Sequence, residues 1–333
     1  MNTQTIYEEY KKKKSIDNSI PKKMPYTYEE VFNCKTRSLD ELKKDFNSLV
    51  KFPADVNPRK FCGNKILYHY QMKNLLACRR GNPDWKTLKE WFDDDELKEQ
   101  LWKETIHRNR RDKAPYPSPT DVYECHRLNK GSIVLFKSST AKYIYKLFNA
   151  KNVLDPTAGW GGRMLAAMSL GINYTGIDTN INMKVPYMYM MDIDKHMTHH
   201  HDSEYISSAK YSGPRCEYRM KMIWKSCLEV DFSKSDYDLV LTSPPYSNME
   251  IYEHMTPWKT NDDYYKEFLI PLLNKLHEET NCPICINVSP TIYETLIKKY
   301  KYKECDTQID LRQQMGKQYK TKSQDYIYIW RHQ

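Results

Sequence analysis

The segment VLDPTAGWGGR, residues 153–163, constrains the fold more than any other part of the chain. Two apolar residues lead into an Asp-Pro pair, a loop of small residues follows, and a helix-forming run begins at Arg163. Glycine permits positive φ angles, and its missing Cβ lets a ligand approach the main chain closely. A strand, a glycine loop and a helix in this order are typical of open α/β sheets, which bind ligands at the carboxyl ends of their strands.

The chain after residue 120 continues this pattern, because short apolar strands alternate with amphipathic helices. The predicted strands are Val153–Leu154, Tyr174–Ile177, Asp238–Thr242, Pro283–Val288 and Asp325–Trp330. One predicted helix begins at a cap on Ser138 or Ser139. Three further predicted helices cover Arg163–Leu170, Tyr264–Glu279 and Tyr293–Tyr300. This alternation predicts an α/β, Rossmann-like fold with a mostly parallel sheet and helices on both faces.

The first 119 residues have a different sequence pattern, because apolar residues recur there at helical spacing and no glycine loop is present. The proline-rich stretch 114–119 cannot be helical and is interpreted as a linker. We therefore expect a helical, basic region over 1–119 and a catalytic domain over 120–333. The net charge is +9, which suits a polyanionic partner. Candidate phosphate contacts are Arg79, Arg80, Arg108, Arg110 and Arg111.

Asp155 argues against a phosphate ligand in the glycine loop, because a carboxylate at the strand end repels a pyrophosphate and attracts a cation. S-adenosylmethionine carries an ammonium group and a sulfonium, so Asp155 could pair with the ammonium while Gly159 and Gly161 give the ligand room. Asp178 ends the next predicted strand, where an acid can accept hydrogen bonds from both ribose hydroxyls. The alternatives are a dehydrogenase-like nucleotide site and a structural turn.

A second motif follows the apolar strand that ends at Thr242, and it reads Ser243-Pro244-Pro245-Tyr246. The prolines stiffen the loop. An amino group conjugated to a ring is a poor nucleophile, and hydrogen bonds from its two N–H groups to the Ser243 hydroxyl and the Pro244 carbonyl would turn its lone pair toward a methyl donor. Such catalysis is chiefly positioning. Tyr246 offers a flat face on which an extruded base could stack.

Together, DPTAGWGG and SPPY resemble the amino-methylating DNA methyltransferases, which modify cytosine N4 or adenine N6. The resemblance covers residues 120–330. The segments YPSPTDVYECHRLNKG and SPPYSNMEIY also resemble methylase-like proteins of large phages and giant viruses. The resemblance implies S-adenosylmethionine as cofactor, DNA as partner, catalytic residues Ser243 to Tyr246 and direct transfer to a flipped base. It also implies cofactor contacts from Asp155, Thr157, Gly159, Gly161, Asp178, Lys137 and Ser226.

The chain departs from this family at two cofactor positions. Thr157 stands where the family often has an aromatic residue, and Ser226 stands where the third cofactor motif often has an acid. Ser243 favours cytosine N4, because adenine enzymes more often carry Asp or Asn there. Three alternatives stay open: an RNA base as substrate, a protein glutamine as substrate, and a nucleic-acid-binding protein that keeps the fold without turnover.

Two metal-like patterns are interpreted as structural. His196 and His199–His201 form a run without a partnering cysteine pair, and Cys282 and Cys285 have metal spacing only once, within a predicted strand. No metal is therefore expected, and Cys285 is predicted to lie in the core. The nine cysteines are predicted to be reduced thiols. Without an apolar run near 20 residues or a secretion signal, we expect a soluble intracellular protein with no membrane contact and no obligate protein partner.

Overall fold

The computed structural model describes residues 21–54, 62–80, 85–112, 116–129, 133–194, 197–203, 205–213, 216–247, 250–251, 257–311 and 325–331. The helices in chain order are α1 Tyr28–Phe32, α2 Leu39–Lys51, α3 Asn64–Ala77, α4 Leu88–Asp93, α5 Asp95–Asp112, α6 Pro119–Asn129, α7 Ser138–Leu147, α8 Gly162–Leu170, α9 Lys184–Met191, α10 Ile270–Glu279 and α11 Pro290–Lys298. A π-helical stretch, Tyr264–Leu269, precedes α10. The strands are β1 Arg79–Arg80, β2 Asn152–Asp155, β3 Asn173–Asp178, β4 Met197–Ser203, β5 Ile206–Gly213, β6 Cys216–Trp224, β7 Leu239–Thr242, β8 Glu250–Ile251, β9 Ile284–Val288, β10 Thr307–Leu311 and β11 Asp325–Trp330.

Nine of these strands form one sheet in the order β10-β11-β9-β7-β2-β3-β6-β5-β4. The central strands β9, β7, β2, β3 and β6 pair in parallel, which confirms the predicted α/β, Rossmann-like fold. The sheet as a whole is mixed, because both margins are antiparallel. The terminal strand β11 lies between β9 and β10, and β4, β5 and β6 form a meander at the other margin.

Both faces of the sheet are covered, as predicted. Leu154, Val240 and Ile286 belong to a core cluster that also contains the apolar faces of α10 and α11. Residues that alternate with them, such as Leu241 and Cys285, are also fully buried and point to the opposite face. Tyr145 of α7 is also buried, and its hydroxyl donates to the Arg163 carbonyl (3.2 Å), so α7 packs against α8. The core position predicted for Cys285 is confirmed.

The chain divides into two compact units, and the predicted division into a recognition region and a catalytic domain between residues 119 and 120 stays a prediction. One unit comprises residues 1–36 and 83–133, and the other comprises residues 37–82 and 134–333. Helix α6 belongs to the first unit because its Glu124 binds Lys35 (2.8 Å) beside α1. Helices α2 and α3 belong to the sheet unit. The Lys142 ammonium of α7 donates to the carbonyls of Leu49 (2.7 Å), Val50 and Phe52 (both 2.9 Å) at the end of α2.

Two predicted helix details also differ. Lys137, and not Ser138 or Ser139, occupies the N-cap of α7, and both serines are buried in its first turn. The predicted helix over 264–279 is interrupted by the π-helical stretch, and Pro271 lies at the start of α10. Among the helices that the structure describes, none combines the length and apolar character that crossing a bilayer requires.

Candidate functional site

The carboxylate of Asp155 lies at the carboxyl end of β2 and is completely buried. One oxygen accepts hydrogen bonds from Arg163 Nε (2.6 Å) and from the Tyr174 hydroxyl (2.7 Å). The other oxygen accepts from the Thr242 hydroxyl (2.8 Å). These donors come from α8, β3 and β7, so one side chain joins the glycine loop to both neighbouring strands.

Within the protein, Asp155 is engaged by this network, and its predicted pairing with a ligand ammonium stays a prediction. Its buried charge is neutralised by Arg163, which is 3% exposed and also donates through Nη2 to the Thr157 carbonyl. The guanidinium lies over the Phe136 ring at 5.0 Å. Sequence spacing placed Asp155 at the strand end correctly, but the inward direction of Arg163 depends on packing against residues far away in the chain.

Thr157 and Thr242 connect the glycine loop to the strand that precedes the SPPY motif. The Thr242 hydroxyl accepts from the Thr157 main-chain N–H (3.1 Å), and the two hydroxyl oxygens are 2.6 Å apart. Because the Thr242 hydroxyl already donates to Asp155, the Thr157 hydroxyl is the donor in that contact. Thr157 therefore fixes the glycine loop against β7. Because Thr242 is held by these contacts, the main chain at the next residue, Ser243, is held as well.

The glycines of the loop serve different purposes. Gly159 has φ 58°, a backbone conformation that glycine adopts without strain, and a Cβ there would contact Arg163 Nη2 and the Thr157 carbonyl at 3.9 Å. Gly161 has φ 92°. Gly162 permits close packing, because its Cβ would stand 2.3 Å from the Phe136 carbonyl oxygen. Tyr187 donates to the Gly159 carbonyl (2.8 Å) and fixes the loop from α9.

Asp178 closes the same loop from the end of β3. Its two oxygens accept from the main-chain N–H groups of Gly159 (2.8 Å) and Asn180 (2.9 Å). Burial raises the pKa of Asp178 to about 6, although these two hydrogen bonds act in the opposite direction. The residue is half-buried, and each oxygen has capacity for another donor. Asp178 is thus a hydrogen-bond acceptor positioned beside Gly159.

Lys137 and Ser226 were also predicted to contact a cofactor. Lys137 is half-buried at the start of α7, and its neighbour Phe136 lies against Gly162, so this segment borders the glycine loop. Ser226 follows β6, and its hydroxyl accepts from the Leu228 N–H at 3.3 Å. Ser226 thereby caps a local turn. Direct ligand contact by either side chain stays a prediction.

Ser243 lies immediately after Thr242, and its hydroxyl is oriented by a residue that sequence reasoning missed. Ser243 Oγ donates to Asn287 Oδ1 (3.3 Å), and Asn287 Nδ2 donates to the Tyr326 carbonyl (2.9 Å). Because the Tyr326 contact requires the NH2 end of the amide, the oxygen end faces Ser243. The Ser243 hydroxyl proton is thus committed to Asn287. Among the described residues, none donates to its lone pairs, which can accept a hydrogen bond from a substrate.

The other residues of the SPPY motif differ in exposure. Pro244 is buried, whereas Pro245 and Tyr246 are half-buried. The Tyr246 ring packs against the core cluster beneath α10 and α11, which fixes one side of it. A stacking role for its remaining surface stays a prediction.

The five predicted phosphate contacts fall on both compact units. Arg79 and Arg80 form β1, which pairs antiparallel with β8 only a few residues after Tyr246. Arg79 is exposed. Arg108 is half-buried in α5, and the side chains of Arg110 and Arg111, like that of Arg80, lie outside the described residues.

Over the part of the chain that the structure describes, no three His, Cys, Asp or Glu side chains converge as a potential metal site. His199 contacts Asp192, and His196 lies outside the described residues. Cys282 and Cys285 are buried, and burial raises the pKa of both thiols, that of Cys282 to about 11.

No protein-family model matches the chain, and no curated protein matches it. Among solved structures, an rRNA methylase from Streptococcus thermophilus matches with 8% identity and a TM-score of 0.36, over 61% of this chain and 100% of that one. TehB from Haemophilus influenzae matches with 12% identity and a TM-score of 0.35, over 58% of this chain and 61% of that one. Both TM-scores lie below 0.5, so the description of the fold and the site is based on the strand topology and side-chain contacts of this chain.

The Asp155 network predicts a large effect of Asp155→Asn on stability. The substitution keeps the shape but leaves Arg163 buried without a counter-charge, which costs about 3 kcal/mol or more. Urea unfolding of the full chain should show this loss. The control is Asp238→Asn, whose exposed carboxylate accepts from the N–H groups of Lys151 and Asn152 and should cost about 1 kcal/mol. Equal stability of Asp155→Asn and wild type would contradict the internal role of Asp155.

Proposed function

We propose that this chain is an S-adenosylmethionine-dependent methyltransferase that methylates an exocyclic amino group of a nucleic-acid base, with cytosine N4 in DNA favoured. The observation that carries the proposal is the Ser243 hydroxyl, which Asn287 holds as a hydrogen-bond acceptor toward a substrate. This acceptor stands one residue after Thr242, whose contact with Asp155 joins it to the glycine loop. A cofactor loop and an amine acceptor are thereby ordered by the same buried network.

The glycine loop and Asp178 suit the cofactor's nucleoside. Because Gly159 carries no Cβ, a ligand can approach the main chain there closely, and Asp178 can accept from two ribose hydroxyls while it keeps its bonds to the loop. The segment with Lys137 borders the opposite end of the loop, beside Gly162. S-adenosylmethionine, when bound, supplies a methyl group activated by its sulfonium.

Residues of the SPPY motif would prepare the amine for attack. Ser243 Oγ and the Pro244 carbonyl are acceptors for the two N–H groups of the substrate, which turns the nitrogen lone pair out of conjugation with the ring. The stiffness of the two prolines and the anchor of Thr242 hold both acceptors in place. No side chain needs to form a covalent bond with the substrate. Tyr246 would support the flipped base.

A nucleic-acid substrate is supported by charge and by the position of β1. The chain carries a net charge of +9, and β1 places the exposed Arg79 on a strand paired with β8, close in sequence to the SPPY motif. Phosphate contacts by basic side chains near a catalytic loop would hold the strand that carries the flipped base. The resemblance of the two motifs to amino-methylating DNA enzymes favours DNA, and Ser243 favours cytosine. An RNA base is the second outcome that a substrate panel would reveal.

Removal of the Ser243 hydroxyl should separate turnover from cofactor binding. Ser243→Ala should lower kcat for methyl transfer to DNA about 100-fold, because one acceptor of the amine is lost. Calorimetric affinity for S-adenosylmethionine should stay unchanged. Asn287→Ala should lower kcat about tenfold in wild type and very little in the Ser243→Ala background, since its effect passes through that hydroxyl.

The matched control for this pair is Ser247→Ala. The Ser247 hydroxyl lies in the same loop but donates to Asn261 (2.7 Å), away from Asn287, so kcat should be retained. Wild-type kcat in Ser243→Ala would remove Ser243 from the mechanism. Equal effects of Asn287→Ala in both backgrounds would indicate a purely structural role for Asn287.

Cofactor affinity should depend on pH through Asp178. With a pKa of about 6, the carboxylate is ionised above pH 7 and accepts ribose hydroxyls fully. As the pH falls through 6 it takes up a proton and loses acceptor capacity, so affinity should fall by up to about tenfold per pH unit. Calorimetry between pH 5 and 8 measures this. Asp178→Asn should bind more weakly with a flat profile in that range, and an unchanged affinity would contradict the ribose assignment.

A further inference from the structure

The antiparallel meander of β4, β5 and β6 has two faces of different character. One face is aromatic and buried, since Tyr211 on β5 and Tyr218 on β6 stack with their ring centroids 4.8 Å apart. Farther along β6 on the same face, the Trp224 ring contacts the Tyr187 ring of α9 at 5.5 Å between centroids. Side chains alternate across a strand, so the residues between these aromatics point to the other face.

That other face carries three basic side chains, Lys210, Arg219 and Lys221, and we call it the basic face. Lys210 of β5 lies directly opposite Arg219 of β6, and Lys221 is two residues farther along β6. Arg219 is exposed, and the two lysines are half-buried. Like charges directly opposite each other destabilise an antiparallel pair, so this arrangement costs free energy in the ligand-free protein.

The charge of the basic face is only partly neutralised within the chain. Glu217 forms an ion pair with Lys210 (2.9 Å). Over the described part of the chain, no carboxylate pairs with Arg219 or Lys221. Two residues of extended strand separate these two cations by about 6.7 Å, and the sheet keeps them in one plane. A flat array of cations suits a polyanion with regularly spaced phosphates.

The basic face lies on the same side of the sheet as Tyr246 and leads toward the candidate site. Ile223, two residues after Lys221, belongs to the core cluster beneath α10 and α11 against which Tyr246 packs. Trp224 at the end of β6 pairs with Asp178 at the end of β3. Two strands separate β6 from β7, so at about 4.8 Å per strand their carboxyl ends are about 14 Å apart. A few nucleotides span this distance.

We infer that the basic face binds the phosphate backbone of the nucleic acid whose base enters the candidate site, an inference that rests on the proposed function. Arg219 and Lys221 each contact a phosphate, and Lys210 adds a third contact when it leaves Glu217. These contacts position the strand and carry no sequence preference. A face that served solubility alone would affect binding only through the net charge of the protein.

The test measures binding of the full chain to a fluorescently labelled DNA duplex by anisotropy, over a series of salt concentrations. The double variant Arg219→Gln with Lys221→Gln should bind about tenfold or more weakly at low salt. The slope of log affinity against log salt concentration should become shallower by about 2, because two phosphate contacts are lost. The melting temperature should be equal to or higher than that of wild type, since repulsion from Lys210 is relieved.

The matched control is Lys151→Gln with Lys234→Gln, which removes the same net charge. Both lysines are exposed, and they precede β2 and β7 at the amino edge of the sheet, away from the candidate site. This control should keep the wild-type slope. A wild-type slope in the Arg219→Gln, Lys221→Gln variant, or an equal loss of slope in both double variants, would overturn the inference.

Methyl transfer to the same duplex separates this inference from the proposed function. Methyl transfer by wild type, together with an unchanged slope in the Arg219→Gln, Lys221→Gln variant, would overturn the inference alone. A shallower slope in that variant, without methyl transfer by wild type to any nucleic acid, would overturn the proposed function and leave the basic face as a binding surface.

Discussion

The candidate site depends on the hydrogen bonds that the buried carboxylate of Asp155 accepts. It receives donors from Arg163, Tyr174 and Thr242, and these residues belong to the helix after the glycine loop and to the strands on either side of β2. A buried charge is tolerated only when it is paired and hydrogen-bonded, so the three donors must occupy fixed positions. The hydrogen bonds of this one side chain therefore fix the positions of both the glycine loop and the SPPY motif.

Such an arrangement suits a reaction that depends on positioning. A buried ion pair contributes little net stability, but it strongly penalises any structure in which one partner is misplaced. The relay from Asp155 through Thr242 to Ser243, and from Ser243 to Asn287, links the ends of three adjacent parallel strands. A methyl donor held on the loop and an amine held at Ser243 would therefore meet in a reproducible orientation.

Local pattern was enough to predict four of the five central parallel strands, both loops and the strand-end positions of Asp155 and Asp178. These features follow from apolar runs, glycines and prolines within a few residues of one another. The inward turn of Arg163 and the amide of Asn287 were not predicted, because their partners are distant in sequence. Arg163 directly after a glycine loop and Asn287 within the apolar run ICINV were the available signals.

The division of the chain was harder to predict, since helical periodicity shows that a segment is amphipathic but not which core it covers. Helices α2 and α3 belong to the sheet unit through the Lys142 contacts and the Leu67 contact near Gly162. The meander β4 to β6 was missed for a similar reason, because its alternation of polar and apolar residues is obscured by methionine and tyrosine.

We propose that the glycine loop and the SPPY motif together transfer a methyl group to an exocyclic amine of a base. The most direct measurement is incubation of the full chain with labelled S-adenosylmethionine and a panel of duplex DNA, single-stranded DNA and RNA, followed by nucleoside mass spectrometry. We expect the label to appear in DNA as N4-methylcytosine. Cofactor binding without label on an exocyclic amine of any base in the panel would contradict it.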